Sequence, residues 1–145
     1  MINHSIEIGR SPEDVFAYLD QLDRHGEWQE DLITTRVETE GPTRVGSRAV
    51  DRRQVPGGPR DIGYVVTEHD PPRTVSFRGT GGPVRPVGTV TVEPIGDGSR
   101  SRVSIAFDLE GHGIGKLFAP FARRQAAREI PRNQAKLKER LEAGV

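Results

Sequence analysis

The chain has 145 residues, 21 basic against 21 acidic side chains, no cysteine, 17 glycines and 11 prolines. At about 100–200 residues per domain, this length is expected to hold a single domain, residues 1–145. Zero net charge excludes a globally basic nucleic-acid binder, and the lack of cysteine excludes disulfides, thiolate nucleophiles and cysteine-ligated metals. From the N-terminus, residues 4–9 alternate, with Ile6 and Ile8 on one face and Ser5 and Glu7 on the other, which is strand periodicity. Ser11-Pro12-Glu13-Asp14 then predicts a helix start: Ser11 caps, Pro12 takes the first helical position, and two acids sit at the positive end of the dipole. Val15, Phe16, Leu19 and Leu22 follow at helical spacing. The pattern breaks near Arg24-His25-Gly26, which leaves Trp28 just past a helix end.

From Leu32 to Glu110 the period changes to two. Strands are expected at 33–39 and 47–55, the second closed by Pro56-Gly57-Gly58-Pro59. Segments 62–68 and 74–78 flank Asp70-Pro71-Pro72 as a hairpin, and 87–93 and 102–109 flank Gly96-Asp97-Gly98 as another. Either face of 62–68 could be inward, because Tyr64/Val66 and Val65/Thr67 both qualify. In 102–109 the assignment is clear, with Val103, Ile105, Phe107 and Leu109 on one side.

Residues 114–143 form one long helical pattern. Ala119, Ala126, Ile130, Leu137 and Leu141 share a stripe, and Arg124, Arg128 and Arg132 lie largely opposite. Pro120 and Pro131 should start, kink or bend this helix. The long helix is the only element available to cover the apolar face of such a sheet. Leu, Ile, Val and Phe number only 35, or 24% of the chain, so the core is expected to be thin or partly hollow. No stretch approaches the roughly 20 apolar residues of a membrane span, and the first residues lack the apolar core of a signal peptide. A soluble, cytoplasmic protein without membrane insertion is expected.

This order, with the opening I-x-I-x-x-S-P-E-D-V-F-A-Y-L-D, Trp28 shortly after it, the hairpin E-H-D-P-P-R-T-V-S-F and the ending L-K-E-R-L-E, resembles the START-like (SRPBCC) superfamily. The match is to its polyketide cyclase/dehydrase branch and covers essentially the whole chain. The resemblance implies an α+β helix-grip fold: a curved seven-stranded antiparallel sheet around a long C-terminal helix, with two short helices after strand 1. It also implies a cavity between the sheet and the N-terminal half of that helix. Trp28, Tyr64, Phe77, Phe107, Phe118 and Phe121 are the candidate ligand-binding residues, and the same side chains would equally serve as core. Ile114 and Leu117 join Phe118 and Phe121 in spreading apolar surface too widely around the helix for one narrow stripe.

The four histidines, His4, His25, His69 and His112, are scattered without metal-ligand spacing, so no metal is expected. His69 at a hairpin entry and His112 before the long helix read as solvated loop residues, or as a general acid or base. No nucleophile elbow, phosphate loop or dinucleotide fingerprint occurs, and no cofactor is expected. Residues 1–31 carry a net −6 and residues 114–145 a net +5. The basic run reads as a solvated helix face, or as a surface for an acidic protein or nucleic acid. The expected partner is a small, largely apolar molecule of lipid or polyketide type, either carried or cyclised. Cyclisation by orientation in a shaped pocket would need no fixed catalytic motif.

Overall fold

A computed structural model describes residues 1–145. In chain order the elements are β1 (Ile2–Ile8), α1 (Pro12–Leu19), a short 3-10 helix (Leu22–Glu27), β2 (Leu32–Val37), β3 (Arg48–Val55), β4 (Gly58–Asp70), β5 (Thr74–Gly79), β6 (Val84–Ile95), β7 (Arg100–Gly111) and α2 (Gly115–Glu142). The seven strands make one curved antiparallel sheet in the order β1-β7-β6-β5-β4-β3-β2. The first strand therefore pairs with the last, Ile8 opposite Ser101 and Ile2 opposite Phe107. No helix is long and apolar enough to cross a membrane.

Local chemistry sets the ends of these elements. Ser11 Oγ accepts from the Asp14 N–H at 3.2 Å, and Pro12 opens α1 where its missing N–H costs nothing. Gly57 and Gly58 take φ of 96° and 117°, which only glycine adopts readily, so the β3–β4 hairpin turns tightly. Several strands run longer than their side-chain alternation suggests. β4 begins at Gly58 instead of residue 62, because backbone pairing continues through Pro59 opposite Gln54. β6 likewise starts at Val84, with Pro86 opposite Leu109. Pro120 and Pro131 do not interrupt α2, which continues through both. Each forgoes one backbone bond, and burial of Ile130, Leu137 and Leu141 against the sheet holds the helix together.

The inward side of 62–68 is that of Tyr64 and Val66, both buried, whereas Thr67 is exposed. A bulge between Val66 and Glu68 then reverses the parity of β4. It carries His69 inward, where its Nε2–H donates to Asp20 at 2.9 Å and its ring lies 5.7 Å from Phe16. His69 is thus packed inside and not a solvated loop residue, while His112 is exposed.

The core sits at one end of the molecule. Ile8, Phe16, Val92, Val103, Leu137 and Leu141 form its centre, joining α1, β1, β6, β7 and the C-terminal half of α2. Polar ties hold that half of α2 to the N-terminal segment. Arg10 Nη1 donates to Leu141 O at 2.7 Å, Lys138 Nζ to Glu7 O at 2.7 Å, and the Gly9 N–H to Glu142 at 2.8 Å. At the other end only Leu22, Ala49 and Tyr64 form a small buried cluster, with Phe77 packed on it.

Candidate functional site

The inward face of the sheet changes character along β7. Val103 is 1% exposed, but Ile105, Phe107 and Leu109, on the same face, are only half-buried. Val90, Pro86 and Phe77 across β6 and β5 are half-buried too. The cause is the path of α2, which rests chiefly on β7 and β1, so that the inward side of β3 and β4 meets only Leu22 of the 3-10 helix and Phe16 and Asp20 of α1. A concave groove results.

Its floor is a row of aromatic rings. Phe77 and Phe107 stand on either side of Gly88, which is in register with both. A Cβ at Gly88 would come within 2.8 Å of the Phe77 ring, so the glycine lets Phe77 lie flat across β6. Ring centroids are 6.2 Å apart for Phe77–Phe107 and 6.0 Å for Tyr64–Phe77, the latter edge-on, within the range of favourable aromatic pairs. The Tyr64 hydroxyl ends the row, buried and without a hydrogen-bond partner. Burial first, and the Asp51 carboxylate second, push the Tyr64 phenol well above its ordinary range and keep it neutral.

Beside Tyr64 lies a polar cluster that alternation alone did not single out. Asp51 on β3 is 3% exposed and accepts from Thr35 Oγ1 at 2.9 Å and from Arg53 Nη2 at 2.8 Å. Arg53 also donates to Gln29 at 2.6 Å and to Asp31 at 3.0 Å. Across the groove, Glu129 on α2 accepts from Gln125 at 2.8 Å, and burial raises its carboxyl above the usual range. The signal was available: Ala49, Asp51 and Arg53 share one face of 47–55, which puts two charges on the core side.

Phe118 and Phe121 lie at the rim, not on the floor. They are 54% and 68% exposed, in company with exposed Ile114 and Leu117. With Pro56 from the β3–β4 turn and Arg124, Gln125 and Arg128 they surround an open hollow of about 540 Å³. Gln125 connects this mouth to Glu129 and the polar cluster. Trp28 caps the 3-10 helix, packs against the main core and tilts onto His25 at 5.2 Å, its Nε1–H buried without a partner. Of the six expected residues, the structure joins Tyr64, Phe77 and Phe107, sets Phe118 and Phe121 at the mouth, and gives Trp28 a core-anchoring place. Burial pushes the His25 imidazole down, and its Nε2–H donates to Leu19 O. A second hollow of about 340 Å³, bordered by Glu13, Phe16, Asp20 and Pro72, lies between α1 and the β4–β5 turn.

A helix gripped by a seven-stranded sheet, open at one end, can be compared with known proteins. The family described as polyketide cyclase / dehydrase and lipid transport matches residues 2–142. The chain belongs to this family. Among solved structures similar to this polyketide cyclase/dehydrase family member is a START superfamily protein from Mycobacterium smegmatis, with 12% identity and a TM-score of 0.79, covering 99% of this chain and 98% of that one. The Zhui aromatase/cyclase from Streptomyces has 14% identity and a TM-score of 0.73, covering 93% of this chain and 86% of its own. The di-domain ARO/CYC protein BexL from the BE-7585A biosynthetic pathway has 18% identity and a TM-score of 0.75 over 97% of this chain. The chain spans 45% of BexL. At these identities the likeness shows the shared fold. Among proteins of curated function, none matches this sequence.

Proposed function

We propose that this protein binds a small, largely apolar molecule, of lipid or polyketide type, in the groove between the sheet and α2. The observation that carries the reading is the aromatic row Tyr64–Phe77–Phe107, whose Phe77 and Phe107 rings are half-open to solvent on a face that would otherwise be core. Concave, mostly apolar surface with a few convergent polar groups is the common form of a small-molecule site. The ligand lies on the rings, its entry passes between Pro56 and Phe118/Phe121, and its oxygens reach Tyr64. Where the ligand is a reactive chain, the groove acts by holding it folded, and Tyr64 is the neutral acid within the site.

The test is titration with Nile red, a neutral apolar dye, followed by its emission. Saturable binding of one dye per chain is expected, weakened about tenfold, or about 1.4 kcal/mol, in Phe77→Ala and Phe107→Ala. Equal binding by wild type and both variants would remove the aromatic row from the site. Mass spectrometry and the ultraviolet spectrum of the ligand recovered after incubation with a linear poly-β-ketone separate the two roles: unchanged mass and spectrum assign a carrier, whereas a new ring chromophore, with or without loss of water, assigns a cyclase.

A further inference from the structure

We infer that the groove selects ligands whose polar end is neutral and hydroxyl- or carbonyl-bearing, and rejects carboxylates. This rests on the ligand-binding reading above and specifies the chemistry of its occupant. The polar end of the groove has two kinds of group, and they point the same way.

The first is an excess of fixed negative charge at the inner end, set behind the unpaired Arg124 and Arg128 of the mouth. Arg53 is the cation of the cluster, and both of its terminal nitrogens are already engaged, Nη1 by Asp31 and Nη2 by Asp51 and Gln29. Two carboxylates thus face one guanidinium before Glu129 is counted on the opposite wall. A carboxylate entering here would find the arginine occupied and would sit beside like charge in a half-desolvated space, where such repulsion is poorly screened. The arginine serves to hold Asp31 and Asp51 in place and is not free to receive an anion.

The second is the Tyr64 hydroxyl, buried at 8% exposure for the residue and unpartnered. A buried hydroxyl left unbonded costs free energy in the empty protein, and a ligand oxygen that bonds it recovers that cost. A phenol both donates and accepts, so it matches an alcohol, an enol or a ketone. Nothing in the folded chain uses this hydroxyl, which is the second, independent sign that a ligand does.

The experiment compares 1-pyrenebutanol with 1-pyrenebutanoate at pH 7, two probes of one skeleton, each titrated by fluorescence. Wild type should bind the alcohol more tightly by at least about tenfold. An alcohol is also the more apolar probe and any greasy groove favours it, so the variants decide the matter. Glu129→Gln keeps shape and removes charge: it should strengthen binding of the carboxylate about threefold or more and leave the alcohol unchanged. Tyr64→Phe should weaken the alcohol about tenfold while the free protein melts at the same or a higher temperature, because an unsatisfied group has gone. Carboxylate binding equal to that of the alcohol in wild type, or a ratio unmoved by both variants, overturns the charge selection while leaving the groove a binding site. Failure of both probes to bind overturns both readings.

Discussion

The two ends of the sheet are built from the same strands and the same alternation, yet one is packed solid and the other is open. At the first, Ile8, Val92 and Val103 meet Leu137 and Leu141 of α2, all essentially without exposure. At the second, Ile105, Phe107 and Phe77 continue the same faces but are only half-buried. The packed core and the open face are therefore separated along the length of β7 as well as between strands. The dense end holds α2 in place, and the open end needs only a floor.

The largest expected effect breaks the dense end. Leu137→Ala removes a side chain that is 1% exposed and should destabilise by about 2–5 kcal/mol, read by urea unfolding. Phe107→Ala, in the same sheet but half-buried, should cost only about 1–2 kcal/mol, because much of its surface is wet already. A loss at Phe107 as large as at Leu137 would mean that the open end is packed after all.

A smaller effect sharpens the contrast through pH. Burial holds the His25 imidazole below its ordinary range, against the pull of its bond to Leu19 O. Its folded pKa lies below the unfolded one, so its contribution is complete above about pH 6.5 and is lost as pH falls toward the folded value, where the unfolded chain binds the extra proton. Tm should drop from pH 7 to pH 5, and His25→Gln should flatten that drop. Asp20 and Glu129, whose carboxyls burial raises, act with the opposite sign on acidification, which is why the variant comparison is needed.

The smallest effect concerns the basic row of α2, two of whose arginines border the mouth. Arg124, Arg128 and Arg132 are exposed and make no ion pair, so changing all three to Gln should move stability by less than about 0.5 kcal/mol. A larger loss, measured by thermal melting, would show that this face is packed in solution.

Element identity and order were legible in the sequence because period and punctuation agree: Ser11-Pro12 opens α1, and Val103 to Leu109 alternate without a break. The scarcity of large apolar residues is in keeping with an inward face that is only half-buried at Ile105, Phe107 and Phe77. Strand ends were less visible, because Pro59 and Pro86 sit in ladders that depend on the partner strand and not on their own propensity. His69 was misplaced for a related reason. The bulge that turns it inward is a property of the β4–β5 pair, and a single strand does not display it. Within the site, the aromatic floor could be named from sequence, but the exposure of Phe118 and Phe121 could not. It follows from where α2 lies over the sheet, which is set by contacts at its far end.

The pairing of β1 with β7 has a consequence for how the chain is made. Ile2 to Ile8 leave the ribosome ahead of the other strands, yet Phe107 to Ser101, their only sheet partners, are synthesised last among the strands. At about 5–20 residues per second, the first strand waits on the order of ten seconds for its neighbour. The inner strands can zip as successive hairpins meanwhile, but closure around α2 is long-range and slow. A nascent chain released before Ser101 carries α1 and most of the sheet and still has no centre on which to fold.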